Sequence, residues 1–420
     1  MADKAMEEVL LDGERLEEAA AGARARGTEH DAAVVRAVLG HHAMVAKGAS
    51  CRKGERAAVH SCMKQVRKRV GAATARRPLR VAPAVAPGPA SFAVWLAEHP
   101  GKERLRPIGK CKRILQGIAK WDLKWMDGPH TVNYERAADR VREERPGCGG
   151  RPREEFTRRL VRGTELGTAV ASPGDHRVLL RPGRRPRFFT VEEESRAMGV
   201  PAASSLMRAL LGSAGTAREA VTWLGRGIHV GVARCIVREL VARGWLERGV
   251  RYGSAYSGID TFAAALEAEL EGEFEYVFAS ESEAKQRQAL VEAWGGHGLS
   301  AKRVHTDAEG REAVGEEEVG LWVATADCGK HSRRNHGREV ADQLGSVAGI
   351  GASLRYVQAK RPAVVVVENV CEASIVGPLG SMLRRLDGYE WEDGALDALT
   401  TAREPVSRER HFWIGRRVGR

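Results

Sequence analysis

The stretch that most constrains the fold lies after Gly249, where short apolar runs alternate with helical periods as far as Gly415. That alternation signals βαβ units around a mostly parallel sheet. The run 363–367 (AVVVV) is the clearest and suits a strand buried on both faces. Strands are expected to end at Ala255, Ser280, Thr306, Ala326 and Glu368, with helices over 261–270, 283–294, 337–360 and 378–386. A final pair near 389–392 and 411–415 completes a seven-stranded α/β sheet.

In such sheets ligands bind beyond the carboxyl ends of the strands. The residues placed there are Gly258, Glu281, Asp307, Cys328 and Glu368. Tyr256-Ser257-Gly258 reads as a tight strand-to-helix turn where backbone N–H groups can approach a ligand. Glu281 stands where an acid can take both hydroxyls of a ribose, and Asp307 where one can meet an adenine amino group. Each acid also reads as a solvated loop residue or a helix N-cap. Cys328 has polar neighbours in Thr325, Asp327, Lys330, His331 and Ser332, a setting that suits a reactive thiol. Glu368 ends an apolar strand, where an uncompensated carboxylate is costly, so it calls for a functional role.

Upstream the chain divides by composition. Residues 1–76 carry long Ala, Glu, Arg and Lys patterns that predict a helical region ending in a basic run, and the Pro-rich segment 77–90 reads as a linker. In 91–183, Trp95, Trp121 and Trp125 are interleaved with Lys and Arg. This suits a nucleic-acid surface, and equally tryptophans in a small core beneath a solvated basic face. The formal net charge of +12 favours a polyanionic partner. No apolar run reaches the roughly 20 residues that span a bilayer, and the acidic start suits neither a signal nor a transit peptide, so an intracellular setting without a membrane partner is expected. The seven cysteines form no CxxC pairs, which fits a reducing compartment. Cys51, His60 and Cys62, with His41 and His42, are too irregularly spaced to predict a metal centre. Cys235 and Cys371 read as packing residues.

The order of the strand-end residues resembles the DNA (cytosine-5) methyltransferase family. Ala255-Tyr256-Ser257-Gly258-Ile259-Asp260 is similar to the family's glycine loop for S-adenosylmethionine, and Phe278-Ala279-Ser280-Glu281 to its ribose motif, with Ser282 beside it. Thr325-Ala326-Asp327-Cys328 resembles the nucleophile loop, and Val367-Glu368-Asn369-Val370 matches the Glu-Asn-Val motif. Pro405-Val406-Ser407-Arg408-Glu409-Arg410 resembles the Gln-x-Arg-x-Arg motif. Two segments that normally come last in the family have their counterparts upstream, in 187–201 and in 224–233, which includes Gly225. That order implies circular permutation, with 184–248 completing the catalytic domain 249–420, and leaves 91–183 as the target-recognition region.

The resemblance implies a Rossmann-like S-adenosylmethionine-dependent methyltransferase fold and a DNA partner. In its chemistry Cys328 attacks cytosine C6, Glu368 meets N3 and the exocyclic amine, Arg408 and Arg410 hold the base and the catalytic loop, and the nucleotide is flipped from the duplex. The cofactor positions implied are Tyr256, Ser257, Gly258, Ile259, Glu281, Ser282, Asp307 and Gly225. A nuclear location follows if the source is eukaryotic. The chain departs from the family at Asp260, which replaces a loop glycine and sets a carboxylate near the place of the methionine moiety. It departs also at Asp327, Gly329, Val406 and Arg226. Two alternatives stay open: an RNA (tRNA) cytosine-5 methyltransferase, and a catalytically silent DNA-binding relative.

Overall fold

The structure, a computed structural model, describes residues 77–83, 106–107, 130–133, 177–180, 187–307, 312–326, 350–351, 353–404, 406 and 408–419. The chain divides into units Met1–Arg76 and Arg77–Arg420, and every described residue belongs to the second. The expected helical region 1–76, the three tryptophans of 91–183 and the Cys328 loop lie outside the described residues.

In chain order the strands are β1 (Arg77–Pro78), β2 (Arg106–Pro107), β3 (His130–Asn133), β4 (Arg177–Leu180) and β5 (Arg187–Phe188), then β6 (Val250–Ala255), β7 (Phe274–Ser280), β8 (Val304–His305), β9 (Leu321–Ala324), β10 (Val364–Asn369), β11 (Tyr389–Asp397) and β12 (Glu409–Arg417). Four of them, in the order β2-β5-β4-β3, form an antiparallel sheet. The rest form one sheet in the order β1-β11-β12-β10-β9-β6-β7-β8. All its pairings are parallel except those of β12, which runs against both β10 and β11. Chain order reverses between β6 and β9, the switch point at which doubly wound sheets bind ligands.

The sheet therefore has eight strands rather than the seven expected. The additional strand is β1, from the Pro-rich segment. It pairs in parallel with the sheet's edge, where Leu79 N donates to the Asp393 carbonyl at 3.0 Å and Arg77 pairs with Glu390 at 2.7 Å. A proline is tolerated in an edge strand because the missing N–H costs no ladder bond. Gly394 makes the room: a Cβ there would stand 3.3 Å from the Leu79 Cβ.

Helices cover both faces, and strict alternation along the strands sorts the side chains between two cores. Val364, Val366, Leu321, Val323, Phe412 and Ile414 face one core. Val365, Val367, Trp322, Ala324 and Trp413 face the other. The first core is closed by α1 (Val191–Ala197), α2 (Ser205–Ser213), α3 (Ala217–Arg226) and α4 (Val230–Ala242), all upstream of β6, together with α5 (Thr261–Glu269) and α6 (Ala284–Trp294). The second lies under the helical residues 353–360 and α7 (Ala373–Leu383). That last helix begins five residues before its expected start at Pro378. Ile375, Leu379 and Leu383 recur on its buried face, and this spacing outweighs the proline inside it.

The upstream helices start at side-chain caps. Thr190 and Glu193 form a capping box at α1, Ser204 accepts from Met207 N at α2, and Thr216 from Glu219 N at α3. Seven residues, 243–249, then join α4 to β6. Arg243 holds this turn to the far edge of the sheet by bonding Glu392 at 2.9 Å and the Arg80 carbonyl at 2.8 Å.

Candidate active site

The carboxyl ends of β6, β7, β9 and β10 converge on the switch point, and their loops are bound to one another. Thr325 Oγ1, just past β9, donates to the Tyr256 carbonyl at 2.9 Å. Ser257 N donates to the Ser280 carbonyl at 3.0 Å. Gly258 N donates to Glu281 Oε2 at 2.8 Å, and Glu283 N to Glu281 Oε1 at 2.8 Å. Ser282 Oγ, at 3.3 Å, also reaches Oε1. Glu281 is thus a buried carboxylate at the end of β7 that joins the loop after β6 to the start of α6. A carboxylate has about four acceptor positions, and these three donors leave one of them, on Oε2, for a further hydroxyl.

The loop after β6 folds through left-handed backbone at Tyr256 (φ 53°), Gly258 (φ 59°) and Asp260 (φ 50°). That turn decides where Asp260 points. Its side chain is turned inward rather than toward a ligand: Oδ1 caps α5 by accepting from Ala263 N at 3.0 Å, and the Tyr252 hydroxyl donates to Oδ2 at 2.9 Å. The Tyr276 hydroxyl closes on the same Oδ2. The carboxylate expected beside the methionine position is therefore beneath the loop, fully buried, and burial pushes its pKa up against the pull of these hydrogen bonds. Ile259 is buried, and its carbonyl accepts from the Trp294 indole at 3.4 Å. Asp307 follows β8, as expected, and is partly exposed.

At the next strand ends, Glu368 lies buried on β10 and pairs with Arg410 of neighbouring β12 at 3.2 Å. Burial pushes its pKa up, while Arg410 and, less strongly, Arg408 pull it down. The adjacent Asn369 Nδ2 donates to the Ala326 carbonyl at 3.2 Å, and its Oδ1 accepts from Val370 N at 2.9 Å. Arg408 faces a different set of atoms. Its Nη2 donates to the carbonyls of Gly225 at 3.0 Å and Gly227 at 2.7 Å, closing the end of α3 onto the start of β12. Asp397 Oδ1 holds the Arg408 backbone N–H at 2.7 Å.

Gly225 accordingly reaches the site through its carbonyl. Its neighbour Gly227 permits close approach, since a Cβ there would meet Thr261 Cγ2 of α5 at 2.7 Å. Arg226 pairs with Glu283, just before α6, at 3.1 Å, a half-exposed contact worth little energy by itself. Tyr252, Tyr276 and Glu283 were not among the expected site residues. The signal for the two tyrosines is a pair of phenols on adjacent apolar strands, since a buried hydroxyl requires a partner.

Among the described residues neither Cys235 nor Cys371 is in a disulfide, and Cys235 Sγ lies 3.6 Å from the Thr401 carbonyl. No helix among them is long and apolar enough to cross a membrane.

No protein-family model matches the sequence, and no curated protein is significantly similar to it. Similar solved structures include TrmN from Thermus thermophilus, at 13% identity over 69% of this chain and 99% of that one, with a TM-score of 0.32. S. pombe Dnmt2 methyltransferase matches at 19% identity over 41% of this chain and 52% of that one, TM-score 0.29. NSun6 from Pyrococcus horikoshii with SFG matches at 14% identity over 46% and 52%, TM-score 0.34. These likenesses are slight, and the reading of the site rests on its own residues: a doubly wound α/β domain with acids and a glycine turn gathered at its switch point.

Proposed function

We propose that residues 184–420 form the catalytic domain of a DNA cytosine-5 methyltransferase with permuted motif order, using S-adenosylmethionine, and that the basic segment 91–183 meets the DNA. The observation that carries this reading is the arrangement at the end of β10. A buried Glu368 is paired with Arg410, and the next residue, Asn369, holds the chain two residues before Cys328.

The residues present fit the cofactor. Gly258 turns through a left-handed conformation, and Glu281 has acceptor capacity left for a ribose. The inward turn of Asp260 leaves the loop without the carboxylate that would oppose a methionine carboxyl group. The cofactor would be held by Gly258, Glu281, Ser282 and Asp307, and when bound it supplies an electrophilic methyl group.

Cytosine C5 is a weak nucleophile, so the reaction starts with the Cys328 thiolate forming a bond to C6. The C5–C6 pair of electrons is then delocalised toward N3. Glu368 meets N3, and a proton on its carboxyl stabilises the charge that develops there. C5 takes the methyl group. A base removes the C5 proton, the thiolate leaves C6, and the ring's double bond returns. Arg410 sets the balance at Glu368, since its charge offsets the burial that favours the protonated acid. A duplex hides C6, so the nucleotide must leave the stack.

Incubation with labelled S-adenosylmethionine and duplex DNA, followed by bisulfite sequencing, tests the reading. Methylcytosine is expected with the wild-type chain and none with Cys328→Ala. The same null result for both sinks the enzymatic reading, and transfer to tRNA alone reassigns the substrate to RNA.

A further inference from the structure

Beneath the loop after β6 lies a polar chain in an otherwise apolar core. It runs from Asp260 to the Tyr276 hydroxyl, then to Ser254 Oγ at 2.6 Å, to Ser257 Oγ at 2.6 Å, and ends on the Ser280 carbonyl at 3.1 Å. Tyr252 joins it at Asp260. Tyr252, Tyr276, Ser254, Ser257 and Asp260 are all buried.

Hydrogens can be counted along it. The chain makes five side-chain contacts: Tyr252–Asp260, Tyr276–Asp260, Tyr276–Ser254, Ser254–Ser257 and Ser257–Ser280 carbonyl. Four hydroxyls supply four hydrogens, and an ionised carboxylate supplies none. A proton on Asp260 Oδ2 provides the fifth, and the hydroxyls then all point one way, from Asp260 toward the Ser280 carbonyl. The other groups that face Asp260 do not replace it: β6 contributes Tyr252 and Ser254, β7 contributes Tyr276, and α5 contributes the Ala263 N–H. Among the described residues no Lys, Arg or His pairs with Asp260.

The far end of the chain is at the binding loop. Ser257 Oγ makes three contacts, two of them to the Ser280 backbone, and the next residue, Gly258, presents its N–H to Glu281. We propose that Asp260, in its protonated form, is a positioning residue for the cofactor loop: it heads a one-way chain of hydroxyls that holds Ser257, and through it Gly258 and Glu281, in the geometry that binds S-adenosylmethionine. The inference rests on the cofactor reading given above.

Calorimetric titration of the full chain with S-adenosylmethionine tests it, with circular dichroism as the check on folding. Asp260→Asn mimics the protonated acid: its oxygen accepts from Ala263 N and its amide donates to Tyr276. It is expected to bind within about threefold of wild type. Asp260→Ala, and independently Tyr276→Phe, break the chain by removing two or more of its contacts and are expected to weaken binding about tenfold. Wild-type affinity is expected to fall as pH rises and Asp260 ionises, while that of Asp260→Asn stays level, a difference that a purely structural role does not produce. Folded Asp260→Ala and Tyr276→Phe variants that bind like wild type, or parallel pH profiles for wild type and Asp260→Asn, overturn the proposal alone. A wild-type chain that binds no S-adenosylmethionine overturns the cofactor reading and this inference with it.

Discussion

Asn369 donates from Nδ2 to the carbonyl of Ala326 at 3.2 Å, so the end of β10 fixes the chain as it leaves β9, two residues before Cys328. The same side chain accepts from Val370 N, which uses both ends of the amide. Asn369→Ala frees the Ala326 carbonyl and is expected to slow methyl transfer about 10²-fold through misplacement of the loop. S-adenosylmethionine affinity should stay level, because the glycine turn lies on other strands. Single-turnover rates set beside calorimetric binding constants separate the two effects.

Glu368→Gln keeps the shape of the acid and removes its charge and its proton. Methyl transfer is expected to fall about 10²–10³-fold, the loss that follows removal of one preorganised charge-stabilising group. Unchanged turnover in this variant would remove Glu368 from the chemistry.

The same residue carries a pH signature in stability. Burial raises the folded pKa of Glu368 above the unfolded carboxylate value of about 4.3, so over that interval the folded state binds the extra proton. Its contribution is therefore fully present below the unfolded pKa and is lost as pH rises through the folded one. Urea unfolding of wild type and Glu368→Gln across this range should show wild-type stability declining relative to the variant as pH increases. A relative rise would mean that the Arg410 charge outweighs burial.

Arg408→Met leaves the Gly225 and Gly227 carbonyls without their guanidinium donor. Unfolding free energy is expected to drop by about 2–4 kcal/mol, the range for losing charge-assisted bonds to buried groups. Arg410→Met, which breaks one ion pair, should cost less stability and more activity. Denaturant midpoints and initial rates for the two variants provide the comparison.

Gly227→Ala puts a methyl group against Thr261 and is expected to destabilise the fold by about 1–3 kcal/mol through overpacking. Thr261→Ala removes the obstructing Cγ2 and Oγ1, so the double variant should recover much of that loss. A thermal-unfolding double-mutant cycle measures the coupling.

Much of the sheet was legible because its strands are short and β-branched, with helical periods between them. Val364–Asn369 needed only its composition to be placed. β1 was hidden because what holds Arg77–Pro78 to the sheet lies over 300 residues away, at Glu392 and Asp393 of β11. The acids at the strand ends were legible by position, and Glu281 and Glu368 both proved buried there. The orientation of Asp260 was not, because a left-handed φ of 50° turns its side chain away from the side that an extended loop would present. Nor was the destination of Arg408, since only folding brings α3 to the start of β12.

The antiparallel direction of β12 bears on the order in which a growing chain acquires its charges. Glu368 is synthesised some forty residues before the arginine that pairs with it. Until β12 has been threaded between β10 and β11, the carboxylate at the end of β10 is without Arg410. Placing that strand therefore completes the sheet and supplies the ion pair at Glu368 in a single event, so a chain caught without it would lack both.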